Sequence, residues 1–428
     1  MKVGIYTLGC KVNQYESESI REELENNNIE IVDPKDKADI YIINTCTVTN
    51  VADKKSRQYI RQMKRNNKNA IIIVTGCYAE VAKTEIEKLP EVDMVFGNEE
   101  KKDLAKRIVK QFSNRSSLDC EVSKESHVQL MDKMSRAYVK IEDGCDRFCS
   151  YCLVPYARGK IKSRPIEDII REIKGILKNG YQEIVLTGIN TALYGCEDEN
   201  LPKLDTLINR INSVNGNFRI RLSSLEPTVV DSNNVKKLLG YEKLCAHLHL
   251  SAQSGSNFIL ERMNRNYTKD EYLEIVSALR CSNPLYGITT DIIVGFPGES
   301  EKDFMDTIDL VQKSEFAKVH IFKYSPRRFT KASSMEDQIS AAEKNIRAKE
   351  LKRVADITAD NFCNQNIGHH HDILIEKIEK GYMHGYSGNY IPTKIKAKNH
   401  DIKIGEIVTV EIIDSKDNLL IGELCERR

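Results

Sequence analysis

Cys145-Asp146-Arg147-Phe148-Cys149-Ser150-Tyr151-Cys152 puts three thiols into eight residues, at a C-x3-C-x2-C spacing with an aromatic residue before the last. A loop of this kind can wrap three thiolates around one face of an iron–sulfur cube and leave the fourth iron without a protein ligand. An open iron can bind and reduce a molecule, whereas a closed four-cysteine site mainly stores or passes electrons. Zinc is the competing reading. A structural zinc site takes four protein ligands, usually as two paired half-sites. Here the nearest cysteines outside the trio are Cys120 and Cys196, and no histidine lies between His127 and His247. The missing local fourth ligand favours the open-iron cluster.

Outward from this loop, apolar strands alternate with helical stretches. Strands are predicted at 139–142, 183–187, 218–222, 246–250, 289–294 and 318–324, with helices such as 165–179, 269–281 and 301–314 between them. Six βα units in sequence predict a partial (βα)6 barrel over residues 135–366. The charged run 341–360 has helical periodicity and would close or bridge it. Upstream, residues 1–118 repeat the rhythm with strands at 3–8, 40–44 and 71–75 and amphipathic runs at 16–26 and 51–65, the pattern of a parallel α/β sheet. A polar stretch at 113–125 reads as a linker. Residues 367–428 change to period-two alternation at 372–378, 390–398 and 407–414, which predicts a small all-β barrel. His369-His370-His371 has no acidic or cysteine partner at metal-ligand spacing and reads as a solvated linker turn.

At 428 residues the chain has room for about three domains, each with its own core. A net charge of +1 excludes a uniformly basic nucleic-acid coat but leaves local patches open. The N-terminus carries no secretory pattern, and apolar runs such as 70–74 and 288–294 are far too short to cross a bilayer. The expectation is a cytoplasmic protein without membrane association, whose twelve cysteines stay reduced and available for metal or redox chemistry.

Three of those cysteines share a second pattern. Cys10, Cys46 and Cys77 each follow a predicted parallel strand by one or two residues, in Leu8-Gly9-Cys10, Asn44-Thr45-Cys46 and Thr75-Gly76-Cys77. Ligands of open α/β sheets bind along the carboxyl edge of the strands, where three such residues converge. Cysteines are also common in cores, but core residues would sit inside the strands. The shared position favours a second three-thiolate cluster.

The chain resembles the radical S-adenosylmethionine (SAM) methylthiotransferase family over nearly its whole length. The resemblance rests on both cysteine trios, on Tyr156-Ala157-Arg158-Gly159, Arg221-Leu222-Ser223-Ser224-Leu225-Glu226-Pro227, Gln253-Ser254-Gly255-Ser256 and 291–299 (DIIVGFPGE), and on the C-terminal β-domain. Thr7-Leu8-Gly9-Cys10-Lys11-Val12-Asn13-Gln14-Tyr15-Glu16-Ser17 resembles the branch that acts on threonylcarbamoyladenosine at position 37 of tRNA. The branches acting on isopentenyladenosine or on a ribosomal-protein aspartate typically carry Gln-Met-Asn or Pro-Lys-Asn after the first cysteine. Two departures stand out: Ala252 where a leucine is expected, and Phe329 where a glycine usually follows Ser325-Pro326-Arg327-Arg328.

The resemblance implies two [4Fe-4S] clusters, one on Cys10, Cys46 and Cys77 and one on Cys145, Cys149 and Cys152. It implies two molecules of SAM, one methylating a cluster-held sulfur and one yielding the radical that activates the base. It implies as partners the anticodon stem-loop of tRNA, an electron donor such as flavodoxin or ferredoxin, and a sulfur source. Strand-end residues Thr187, Gly188, Ser224, Glu226, Gln253 and Ser254 are the candidates for the SAM pocket, each with an ordinary turn or cap role as its alternative. For RNA, Lys54, Arg57, Arg61, Lys64 and Lys68 form one uninterrupted basic helix stripe, and Lys394, Lys396 and Lys398 alternate along a strand, with Tyr386 and Tyr390 available for stacking. Two alternatives remain: the same chemistry on isopentenyladenosine or a ribosomal-protein aspartate, and a non-catalytic RNA-binding iron–sulfur redox sensor.

Overall fold

The structure is a computed structural model and describes residues 1–112, 128, 134–229, 235, 237–397 and 401–425. The expected linker at 113–125, Cys120 and Lys398 lie outside the described residues.

The N-terminal sheet contains β1 (Lys2–Thr7), β2 (Glu30–Val32), β3 (Ile40–Thr45), β4 (Ile71–Gly76) and β5 (Met94–Val95), all parallel, in the order β2-β1-β3-β4-β5. Every residue of β3 is buried, as expected of a central strand covered on both faces. Its alternate residues divide between two cores. Ile40 and Ile42 pack with Ile20, Leu24 and Ile108 from the helices Lys11–Asn26 and Leu104–Phe112. Tyr41 and Ile43 pack with Ile60 and Met63 of the helix Asn50–Asn66. The helices therefore lie on both faces, and the strand order reverses between β1 and β3, creating a crevice at their carboxyl ends. The edge strands β2 and β5 were not legible in sequence, because two or three residues carry too little periodicity.

The central domain runs through β6 (Ala137–Lys140), the short antiparallel pair β7 (Glu142–Asp143) and β8 (Lys162–Ser163), then β9 (Glu183–Thr187), β10 (Arg219–Leu222), β11 (Ser224–Leu225), β12 (His247–Leu250), β13 (Gly287–Val294) and β14 (Lys318–Lys323). All six expected barrel strands form. They build two parallel ladders, β10-β9-β6 and β11-β12-β13-β14, which meet where Ser223 interrupts one strand position.

The third domain is a closed barrel of β15 (His370–Glu379), β16 (Tyr382–Ser387), β17 (Pro392–Lys396), β18 (Ile407–Lys416) and β19 (Leu419–Leu424), ordered β15-β16-β17-β19-β18. The expected linker turn at the histidine run is corrected: His370 and His371 open β15, pairing with Glu411 and Val410. Backbone pairing extends the ladder outward from the apolar Ile373–Ile375 segment regardless of side-chain polarity. The helix Ala341–Asn364 spans two cores, with Leu351 and Val354 in the central one and Phe362 and Cys363 in the small barrel.

The small barrel also plugs the amino end of the (βα)6 strands. Glu183 is paired with Arg136 at 3.1 Å, Arg219 at 2.6 Å and Arg221 at 3.0 Å; Glu183, Arg136 and Arg221 are buried and Arg219 partly so. The spare guanidinium donors go to the carbonyls of Asp372, Tyr386, Ser387 and Gly388. Tyr386 and Tyr390 stack on each other and under Arg136, and Tyr390 also meets Arg221 and His247. The two tyrosines expected to stack on RNA are thus engaged in this joint.

Candidate functional site

Cys10, Cys46 and Cys77 follow three adjacent strands, β1, β3 and β4, at the crevice where the strand order reverses. The first two loops touch. A Cβ on Gly9 would lie 2.8 Å from Cys46 Sγ, so Gly9, with φ of 101°, lets the backbone approach as no side chain would. Asn13 ties the loops together, its Nδ2 donating to Leu8 O at 2.8 Å and Thr45 O at 2.9 Å. Cys10 is solvent-accessible within the crevice, Cys77 half-buried and Cys46 buried. Burial and mutual repulsion push the Cys46 thiol up to about 12. Bound iron would reverse this, since a coordinating thiol is deprotonated.

The second trio lies between β7 and the helix Val154–Arg158. Its loop is pinned from behind: Ser150 N donates to Met263 O at 3.0 Å and Ser150 Oγ to Arg262 O at 2.8 Å, while Asn264 Nδ2 reaches the carbonyls of Arg147 and Phe148. Burial raises Cys145 to about 11 and Cys152 to about 12. Among the described residues, no three or more His, Cys, Asp or Glu side chains gather as the ligands of one ion would. A cubane makes a different demand, one thiolate per iron, and two all-thiol trios match that donor chemistry. Cations stand ready to balance the charge, Arg158 in the field of Cys10 and Cys77 and Arg265 in that of Cys149.

A buried ionic cluster joins the trios. Arg158 Nη1 contacts Glu16 Oε1 at 3.0 Å and Asp143 Oδ1 at 2.9 Å, and Nη2 donates to Asn13 Oδ1 at 2.6 Å. Lys101 and Lys140 complete the group on Glu16 at 2.5 and 3.3 Å. Burial opposes the Glu16 carboxylate, but Arg158, Lys101 and Lys140 outweigh it and hold its pKa well below the usual range. Asn98 adds a second tie, with Nδ2 donating to Ala157 O at 2.6 Å and lying 4.0 Å from Cys77 Sγ. On the opposite side, buried Arg327 donates to Thr47 Oγ1 and Asp53 Oδ2, both at 2.6 Å. Sequence reasoning assigned no role to Glu16, Asn98, Asp143, Arg158 or Arg327. Glu16, Arg158 and Arg327 do lie within quoted motifs, and Asp143 lies two residues before Cys145, so the signal was present without its geometry.

The SAM-pocket candidates divide. Glu226 is buried and meets Arg147 of the cysteine loop at 3.1 Å, Arg265 at 3.0 Å and Asn190 Nδ2 at 2.8 Å. Gly188 is required where it stands, because a Cβ there would lie 2.1 Å from Glu142 Oε1. Burial pushes the Glu142 carboxyl up to about 8, and its Oε2, like Thr187 Oγ1, is buried without a partner. Unmet polar atoms of this kind, beside the cysteine loop, suit a polar ligand. Gln253, at φ of 62°, lines a cavity of about 170 Å³ together with Val48, Tyr151, Asp291 and Ser325. Ser254 turns away: its hydroxyl accepts from Ser256 N and faces Thr307. Ser224 lies in β11, its carbonyl accepting from Thr191 Oγ1 at 2.9 Å. Ala252 is fully buried, its N–H bonded to Thr290 Oγ1 at 2.9 Å and its carbonyl to Tyr267 at 2.8 Å.

The basic helix stripe forms a groove of about 750 Å³ lined by Lys54, Arg57, Arg61, Lys64 and Lys68, with Arg65 and one acid, Glu91. Lys394 and Lys396 lie on β17 and pair across to His384 and Tyr382, with Lys394 over the Tyr382 ring.

Comparison with known proteins agrees with this architecture. Residues 2–97 match the model of the uncharacterized protein family UPF0004, and residues 139–311 match the radical SAM superfamily. The fold and its cysteine loop thus define a radical SAM protein. The threonylcarbamoyladenosine tRNA methylthiotransferase MtaB of Bacillus subtilis is 38% identical, over 96% of this chain and 93% of its own. The protein of that name from Aquifex aeolicus is 38% identical over 96% and 100%, respectively. The tRNA-2-methylthio-N(6)-dimethylallyladenosine synthase of Finegoldia magna is 35% identical over 99% and 94%. The chain belongs to the radical SAM tRNA methylthiotransferase family, and is an enzyme of that class. Among solved structures, the radical SAM methyltransferase TsrM of Kitasatospora setae shares the fold, with a TM-score of 0.57 at 14% identity over 78% of this chain and 77% of its own.

Proposed function

We propose that this enzyme converts N6-threonylcarbamoyladenosine beside the anticodon of tRNA to its 2-methylthio derivative. One observation carries the reading: two all-thiol trios from different domains face one joint, locked together by Arg158, Glu16 and Asn98. Two three-thiol sites would hold two [4Fe-4S] clusters, each with one open iron. When bound, the clusters and SAM supply the one-electron chemistry and the sulfur that exchange an aromatic C–H for C–S, which acid–base side chains cannot do.

The chain's own residues do the rest. Arg158 neutralises and positions the Cys10 and Cys77 loops against the barrel. Arg147, Arg265 and Asn190 fix Glu226 beside the second cysteine loop, where its carboxylate can orient the polar groups of SAM. Glu142 and Thr187 offer unmatched buried oxygens to an amino group or hydroxyl. Val48, Tyr151 and Ile293 give the cavity its apolar lining. The groove along Lys54–Lys68 and the Lys394 and Lys396 row would take RNA phosphates. The threonylcarbamoyl branch is favoured by the Cys10-Lys11-Val12-Asn13 motif and by the names of the 38%-identical relatives. The cytoplasm is the compartment this substrate requires, and no helix among the described residues is long and apolar enough to cross a membrane. The domains are drawn at 1–118, 135–366 and 367–428.

Anaerobic reconstitution should give about eight irons per chain, and reduction with SAM should release 5′-deoxyadenosine. Mass spectrometry of tRNA from a deletion strain should then lose the methylthio mark on threonylcarbamoyladenosine. Retention of that mark with loss of methylthio-isopentenyladenosine would move the enzyme to the other branch.

A further inference from the structure

An exposed aromatic ring stands on a strained backbone between the two cysteine trios. Ser325, which follows β14, lines the 170 Å³ cavity. Two residues on, Arg327 is buried against the start of the helix Asn50–Asn66, bonded to Thr47, Asn50 and Asp53, and Asn50 Nδ2 returns to Pro326 O at 3.2 Å. At the other end, Ala332 N donates to the carbonyl of Ser150, within the cysteine loop, at 2.7 Å. The segment is therefore tied on one side to the loop after Cys46 and on the other to the residue after Cys149.

Phe329 lies between these ties with φ of 72° and 61% of its surface exposed. A bulky L-residue rarely adopts that conformation, and it persists only where the surroundings impose it. A ring so exposed buries too little to explain the strain by packing. Arg328, itself paired with Glu85 at 2.9 Å, places its guanidinium 5.1 Å from the centroid of the exposed ring. An exposed π-face backed by a cation is the element single-stranded nucleic-acid sites use to hold a base. Chemistry on a base ring also requires that base to be out of its stack.

We propose that Phe329 is a stacking platform for an unpaired nucleobase of the RNA substrate, holding it at the mouth of the cavity between the two trios. The proposal rests on the RNA reading above. It makes Phe329 a positioning residue, particular to this chain's departure from the expected glycine.

The test uses the reconstituted full-length enzyme and an RNA hairpin with 2-aminopurine at an unpaired loop position, beside a fully paired duplex of the same stem. Phe329→Ala and Phe329→Gly should each weaken hairpin binding roughly tenfold, leave the duplex affinity unchanged, and abolish quenching of the 2-aminopurine. Phe329→Tyr should restore both affinity and quenching. Phe329→Gly should melt no lower than the wild type, because glycine accepts the positive φ without strain. Wild-type affinity and quenching in Phe329→Ala would overturn the platform alone, as would an equal loss on the duplex. Failure of the wild type to bind the hairpin would instead overturn the RNA reading, and the platform with it.

Discussion

Replacing Glu16 by glutamine should loosen the joint between the two cysteine-bearing domains by about 3–5 kcal/mol. The Glu16 side chain is 11% exposed and meets Arg158 at 3.0 and 3.2 Å, Lys101 at 2.5 Å and Lys140 at 3.3 Å. Asp143 is the second carboxylate of the group, on Arg158 at 2.9 Å and Lys140 at 3.3 Å. With Glu16 neutral, Arg158 and Lys140 are left to share Asp143, and Lys101 keeps only the Asn98 amide oxygen. At an effective dielectric of about 20 one such contact contributes roughly 4 kcal/mol before desolvation, and removing one partner of a buried pair costs a similar amount in practice. This corresponds to a shift of roughly a hundredfold to several thousandfold in the docking equilibrium. Glutamine keeps the shape and one acceptor, so the loss reports charge. The chain has no tryptophan, which makes hydrogen exchange in the helices Lys11–Asn26 and Val154–Arg158 the direct readout. Protection should fall in both helices together. Adding Arg158→Gln should cost less than the two single changes summed, because it removes one stranded cation. Glu16→Gln within about 1 kcal/mol of the wild type, or strictly additive effects, would mean that the buried charge of Glu16 does not hold the joint.

Four further outcomes follow from the geometry. Cys10→Ser should halve the reconstituted iron content, from about eight to about four per chain, while 5′-deoxyadenosine formation persists; an unchanged iron count would remove Cys10 from the ligand set. Gly188→Ala drives a Cβ to 2.1 Å from the Glu142 carboxylate and should weaken SAM binding by equilibrium dialysis at least tenfold, on the order of the 1–3 kcal/mol cost of overpacking. Arg57→Ala with Arg61→Ala should lower the salt slope of tRNA binding by about two, one for each phosphate no longer neutralised; an unchanged slope would place RNA elsewhere. Arg221, Arg219 and Arg136 overcome burial to hold the Glu183 carboxyl far below its unfolded value near 4.3. Its contribution is therefore complete above that value and lost as pH falls toward the folded one, so the small barrel should become protease-sensitive below about pH 4, and Glu183→Gln should be sensitive already at neutral pH.

The central barrel was legible because its strands are buried and flanked by amphipathic helices, and all six formed as expected. The short edge strands β2 and β5 were not, nor were β16 and β19 of the small barrel. In β16 a Cβ on Gly385 would lie 2.0 Å from Leu374 O of the neighbouring β15, so close pairing with β15, rather than strand propensity, fixes that segment. Tyr386 and Tyr390 looked like base-stacking residues, yet the Glu183 arginine cluster claims them. Only the docking of two domains could reveal that.

The two cysteine trios and their position after strands are written in the chain itself, because thiol spacing and strand periodicity are local properties, and its motifs carry the resemblance to radical SAM enzymes. How the trios are joined comes from the packing of distant segments against one another. Glu16 and Arg158 are 142 positions apart, and Arg327 and Thr47 are 280 apart. A charge becomes a clamp only when folding removes it from water beside its partner, and no local pattern records that encounter. Phe329 shows the same division: the sequence marked it as a departure from an expected glycine, and the fold set it, exposed, on a segment tied to both cysteine loops.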